Sequence, residues 1–217
     1  MKIRTGIVLA LDVTDRTRAV KVAEAAAPFI DAFKVGYPLV LGAGLGIVTE
    51  LAREGYVLCD FKVADIPNTS RLIAAEAFRA GARGIICQAF PGHDSVLAVV
   101  EEARKHAGEL FVVTEMSHPG ALEFMASNAE AMAKMAASAG ATGIIAPATR
   151  PERVRALRAL VGGLQILSPG VGAQGGTARD AILAGADAVI VGRTIYESAE
   201  PARAAEKMAA EIREARK

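Results

Sequence analysis

Short apolar runs and longer stretches with helical spacing alternate along the whole chain. Runs rich in Val, Ile, Leu and Phe occupy residues 6–11, 32–35, 57–61, 84–88, 110–115, 143–146, 165–168 and 188–191. Each is brief and apolar at consecutive positions, as a strand buried on both faces of a parallel sheet should be. The intervening stretches read as amphipathic helices: Ala205, Met208, Ala209 and Ile212 recur at i, i+3, i+4 and i+7, and Val154, Leu157 and Val161 form one stripe. A small repeat marks the same joints. Ala80-Gly81-Ala82-Arg83-Gly84-Ile85-Ile86 returns as Ala139-Gly140-Ala141-Thr142-Gly143-Ile144-Ile145 and, more loosely, as Ala184-Gly185-Ala186-Asp187-Ala188-Val189-Ile190. Physically this is a helix end, a glycine able to take positive φ, and a short turn into the next strand. Eight strand–helix units without a linker predict an α/β fold of one domain, residues 1–217, closed as a (β/α)8 TIM barrel. A doubly wound open sheet is the competing architecture, though it usually has fewer strands.

Composition narrows the function classes. Lys and Arg number 25 against 24 Asp and Glu, a formal net charge of +1, so the concentrated basic excess of a nucleic-acid binder is missing. The longest apolar stretches fall far short of a membrane span, and the N-terminal residues lead straight into a strand-like run with no visible signal peptide. Cys59 and Cys87, the only cysteines, each sit inside an apolar run, which predicts buried thiols in a reducing compartment, the cytoplasm.

The polar residues are distributed unevenly. Asp12 follows the first strand, Lys34 closes the second, Asp60 and Lys62 close the third, Ser117 follows the fifth and Arg193 the eighth. These are the C-terminal strand ends, which form the active-site face of a barrel. In Asp60-Phe61-Lys62-Val63-Ala64-Asp65 the period of a strand puts Asp60 and Lys62 on one face and Cys59 and Phe61 on the other. Lys34 comes from the neighbouring strand, so two cations and two anions can alternate within a few ångströms. A pair at ~4 Å is worth roughly 4 kcal/mol at an effective dielectric of about 20. A purely structural ion pair is the alternative on spacing alone, but buried pairs are poor stabilisers.

Between the seventh strand and its helix lies Ser168-Pro169-Gly170-Val171-Gly172-Ala173-Gln174-Gly175-Gly176-Thr177. Barrels often bind phosphate with the loops after strands seven and eight, and Gly192-Arg193 completes that arrangement here. The literal G-x-G-x-x-G from Gly170 to Gly175 is weak evidence for a dinucleotide, since the unit is the seventh and the next strand ends in Arg193 instead of an acid. His93, His106 and His118 lack metal-ligand spacing, with surface or capping roles expected for the first two. Met125, Met132 and Met135 read as core filler, and the roles of Tyr37 and Tyr196 stay open.

Asp60-x-Lys62-x-x-Asp65-Ile66-x-x-Thr69 resembles the D-x-K-x-x-D-I-x-x-T signature of the orotidine 5′-phosphate decarboxylases. The resemblance extends to Leu9-Ala10-Leu11-Asp12, Phe33-Lys34-Val35-Gly36, Met116-Ser117-His118-Pro119-Gly120, Ser168-Pro169-Gly170 with Gln174, and Val191-Gly192-Arg193. It implies a cofactor-free, metal-free decarboxylase acting on a small nucleotide, and a homodimer with shared active sites. On that basis Lys62 protonates C6 of the pyrimidine, Asp60 sits beside the departing carboxylate, and Lys34 holds the ribose hydroxyls and the charge network. Asp65 and Thr69 enter the neighbouring subunit's site. Asp12 binds the ribose, Ser117 the pyrimidine amide edge, Gln174 bridges base and phosphate, and Pro169, Gly192 and Arg193 complete the substrate site. A metal-dependent relative acting on 3-keto-hexulose phosphates shares the D-x-K-x-x-D core but needs an acidic magnesium ligand at the end of strand two, where this chain has Lys34. A non-catalytic phosphate-binding barrel is the remaining alternative.

Overall fold

The computed structural model describes residues 1–217, and they form a closed barrel of eight parallel strands in sequence order. The strands are β1 (Ile7–Ala10), β2 (Ala32–Gly36), β3 (Val57–Val63), β4 (Gly84–Gln88), β5 (Glu109–Val113), β6 (Gly143–Ile145), β7 (Gln165–Pro169) and β8 (Ala188–Val191). Around them run α1 (Arg16–Ala26), α2 (Tyr37–Ala43), α3 (Gly46–Leu51), α4 (Pro67–Arg79), α5 (His93–Lys105), α6 (Ala121–Phe124), α7 (Ala129–Ala139), α8 (Pro151–Val161), α9 (Ala178–Leu183), α10 (Arg193–Tyr196) and α11 (Pro201–Ala215). No helix is long and apolar enough to cross a membrane.

Local chemistry sets the element ends. Pro67, Pro151 and Pro201 open α4, α8 and α11, where a missing N–H costs nothing. Asp15 caps α1 by accepting from the Arg18 N–H, and Thr177 caps α9 by accepting from that of Asp180. The three repeat glycines carry positive φ as expected: +107° at Gly81, +82° at Gly140 and +108° at Gly185.

Alternation along the strands separates two cores. Val8, Leu58, Ile86, Phe111, Val113, Ile145, Leu167 and Ile190 belong to the cluster that fills the barrel interior. The intervening strand residues, Cys59 and Cys87 among them, join the larger cluster between strands and helices, with Met132 buried there and Met125 and Met135 packed against it. Both cysteines are free, and burial pushes each thiol up to about 12, with Asp60 adding to the effect at Cys59.

Several strand ends differ from the expected ones. β3 runs to Val63, and its register against β4 shifts between Cys59 and Val63. Within that bulge Lys62 takes φ +42°, so the chain here is not the simple alternating strand that its spacing suggests. β5 stops at Val113, because Thr114 and Glu115 leave the ladder and both turn their N–H groups toward the Ile145 carbonyl. The units after β2, β5 and β8 each contain two helices where one was expected.

Candidate active site

At the C-terminal end of the barrel the strand tips surround a cavity of about 780 Å3. Its wall on the β1–β3 side is a linear array of charge. The Lys34 ammonium lies 3.1 Å from Asp12 Oδ1 and 3.0 Å from Asp60 Oδ2, and Lys62 donates to both Asp60 oxygens at 2.9 and 2.8 Å. The order is therefore Asp12, Lys34, Asp60, Lys62, anion and cation alternating. Lys34 and Asp60 are buried at 6% and 7% exposure, whereas Asp12 and Lys62 border the open cavity.

Burial and pairing oppose each other in the two central groups. Burial alone pushes the Lys34 ammonium down, and this is the largest single effect; the charges and hydrogen bonds of Asp60 and then Asp12 together outweigh it and hold the pKa above 10.5. Burial likewise pushes Asp60 up, and Lys34 and Lys62 more than reverse it, holding the carboxyl below 3.8. Both groups thus stay charged across the neutral range. The ammonium that faces the cavity, Lys62, is turned back onto Asp60 by the bulge of β3, as the bidentate contact requires.

Beneath the array the cavity floor is apolar, built from Ile86, Val113 and Ile145. Next to the array around the closed barrel, after β7 and β8, stand the expected phosphate elements. The loop after β7 folds back on itself, Gly172 N–H donating to the Gly176 carbonyl at 2.9 Å and Gly176 N–H to that of Gly170 at 3.1 Å. Gly170 has φ +103°, and a Cβ there would come within 2.8 Å of Thr149 and 3.1 Å of Ser117, so only glycine fits this turn. Pro169, Gln174, Gly192 and Arg193 all line the cavity. Ser117, from the loop after β5, donates to Gln174 Oε1 at 2.8 Å and so joins the two loops over the mouth.

Of the residues singled out in the sequence, Asp12, Lys34, Asp60, Lys62, Ser117, Pro169, Gln174, Gly192 and Arg193 converge on this one cavity. Asp65 and Thr69 do not. Asp65 is exposed beyond β3, with its Oδ1 accepting from the Ile66 N–H at 2.7 Å. No three His, Cys, Asp or Glu side chains are placed to hold a metal ion. His93 is exposed at the start of α5, and His106 stacks on Phe78 beside Glu102. Tyr37 stacks on Phe61, 5.4 Å between centroids, and Tyr196 lines the cavity.

One component was not anticipated. Glu115, fully buried, accepts from Arg150 Nε at 3.1 Å and Arg153 Nε at 2.8 Å. Arg150 also donates to the Met116 carbonyl, and Thr149 Oγ1 to that of Ser117 at 3.0 Å. The β5 loop that carries Ser117 is thereby fastened to the start of α8. The i, i+3 arginine pair at a helix start was the available signal, but nothing in the sequence pointed it at Glu115.

A family model described as orotidine 5′-phosphate decarboxylase / HUMPS family matches residues 5–208. An orotidine 5′-phosphate decarboxylase of Methanosarcina mazei is 58% identical over 213 residues, 98% of this chain and 97% of that protein. One of Thermococcus kodakarensis is 52% identical over 211 residues, 96% and 97% of the two chains. Among solved structures, the orotidine 5′-monophosphate decarboxylase of Methanocaldococcus jannaschii complexed with the inhibitor BMP superposes with a TM-score of 0.92. It is 42% identical, over 97% of this chain and 99% of that one.

Proposed function

The chain belongs to the orotidine 5′-phosphate decarboxylase / HUMPS family, and we propose that within it the chain is a carboxy-lyase converting orotidine 5′-phosphate to uridine 5′-phosphate and CO2. The observation that carries this reading is the Asp12–Lys34–Asp60–Lys62 array facing a cavity whose rim also carries a glycine-rich loop and Arg193. In the reaction the bond between C6 and the carboxyl carbon breaks, CO2 leaves, and the electron pair stays on C6. No cofactor takes up that pair, so a fixed cation must meet it. Lys62 is that cation and then the acid: its ammonium gives a proton to C6 and recovers one from solvent. Asp60 holds Lys62 by two hydrogen bonds and places negative charge where the substrate carboxylate lies. The apolar floor solvates a carboxylate poorly and accepts neutral CO2.

The phosphate sits far from C6. Gln174, Gly192 and Arg193 bind it, and that binding energy closes the loop against Ser117, excluding water from the array. Asp12 and Lys34 hold the ribose hydroxyls. Asp65 and Thr69 serve the partner's site in a homodimer, which their place outside their own cavity supports. Tyr37, Leu41, Ile66, Leu72 and Phe90 are exposed large apolar residues in the segments after β2, β3 and β4, three adjacent strands, and they supply the face such a dimer would bury. The same reading places the enzyme in the cytoplasm, where Cys59 and Cys87 remain thiols.

Release of CO2 from orotidine 5′-phosphate by protein dialysed against EDTA tests the function directly. Turnover that survives chelation is expected, because Lys34 stands where the metal-dependent relatives need an acid. Turnover only with added magnesium, or only on a 3-keto-hexulose phosphate, would reject the assignment.

A further inference from the structure

The loop that carries Asp65 is held from behind by two buried hydroxyls. The backbone carbonyl oxygen of Asp65 accepts from Ser70 Oγ at 2.9 Å and from Ser95 Oγ at 2.7 Å, and the two hydroxyls are 3.0 Å apart. Ser70 lies in α4 and is fully buried; Ser95 lies in the first turn of α5 and is 4% exposed. They meet where α4 and α5 pack on each other. A hydroxyl in such a place is costly unless it is hydrogen-bonded, and alanine would suit the packing as well. A carbonyl oxygen has two lone pairs, and two hydroxyl protons occupy both. Neither serine lines the cavity of its own chain.

We infer that Ser70 and Ser95 are positioning residues for Asp65, and that through it they act on the partner's active site and not on their own. This rests on the shared-site homodimer proposed above. The carbonyl bracket fixes the backbone of Asp65, and the Asp65–Ile66 contact fixes its side chain, so the carboxylate is presented outward in one orientation. Loss of the bracket lets that orientation drift, and a misplacement of about 1 Å at a reacting centre can cost on the order of 100-fold in rate.

The test is complementation in trans. The Ser70→Ala/Ser95→Ala homodimer should lose about 10-fold to 100-fold in kcat/KM, with circular dichroism unchanged. Mixed with Lys62→Ala protein and allowed to exchange subunits, it should regain activity. Each mixed dimer then combines intact Lys62 from the serine variant with a well-held Asp65 from the other chain. Random pairing makes about half the dimers mixed, so about a quarter of all sites should work at the wild-type rate. If instead the serines support only their own barrel, the one Lys62-bearing site of each mixed dimer stays impaired and no recovery occurs, which overturns the inference. The single variants Ser70→Ala and Ser95→Ala, run the same way, provide the result should the double variant fold poorly. A parallel mixture of Asp65→Ala with Lys62→Ala separates the two ideas. Recovery there without recovery of the serine variants rejects the bracket alone; no recovery in either, with exchange confirmed by native mass spectrometry, rejects the shared site and the bracket with it.

Discussion

Lys62 occupies backbone space that few side chains adopt, φ +42° within the bulge of β3. For an L-residue this region costs roughly 1–2 kcal/mol, and the return is an ammonium held bidentately on Asp60 while still bordering the cavity. Two consequences can be measured. Lys62→Ala should abolish turnover with the fold intact, and near wild-type kcat in that variant would remove Lys62 as the proton donor. Lys62→Gly should be equally inactive but more stable than Lys62→Ala by about 1 kcal/mol, because glycine accepts positive φ without strain; urea denaturation of the two variants decides. The central pair makes a pH statement of its own. Asp60 is held below 3.8, so the stability it contributes is present above the ordinary carboxylate range and lost as pH falls through its lowered value. Lys34 is held above 10.5, so its contribution is complete below that pH and lost only as pH rises through the raised value. The stability difference between wild type and Lys34→Met should therefore be flat from about pH 5 to 9 and shrink outside that window. A slope near neutrality in thermal melts of the pair would contradict the charge states assigned to the array.

Elements were legible in the sequence to the extent that their signals were local. Runs buried on both faces announce parallel strands, and the alanine–glycine repeat located three helix ends correctly. What the sequence pattern could not show lay in contacts between distant residues. β5 ends two residues earlier than expected, where the Glu115 carboxylate meets Arg150 and Arg153, and nothing in a run of apolar letters reveals a carboxylate 35 residues away from its partner. Strict alternation put Asp60 and Lys62 on one face, which holds, but it concealed the bulge that brings them into contact. The glycine-rich loop was legible as part of the cavity rim; its attachment to Ser117 through Gln174 was not. That attachment sharpens a prediction at this scale. Gln174→Ala and Arg193→Ala should each weaken the phosphate end by roughly 1.5–3 kcal/mol in kcat/KM. The loss should be much smaller on the nucleoside substrate that lacks phosphate, since the contact is already absent there. Equal losses on both substrates would place the phosphate site elsewhere.

At the scale of the whole molecule, large apolar residues stay exposed on the segments after β2, β3, β4 and β5, and on α9. Leu41 is 81% exposed, and Ile66 and Phe90 are each 66% exposed. They lie in the segments after β2, β3 and β4, the sector that also carries Asp65. Scattered exposed leucines need no explanation, but large apolar residues gathered over three consecutive strands mark an interaction surface. A second copy of the chain suits it by symmetry, because in an isologous contact the same patch meets itself, and the proposed dimer needs Asp65 of one chain to serve the other. Leu41→Glu combined with Phe90→Glu puts four like charges into that two-fold contact and touches no residue of the cavity. Wild type should sediment as a dimer and the variant as a monomer at the same concentration, with the variant's circular dichroism and melting transition retained. Its activity per chain should fall steeply, because a lone barrel keeps Lys62 but lacks the partner's Asp65, and should rise again as protein concentration is increased. A monomer with undiminished activity would show that each barrel completes its own site.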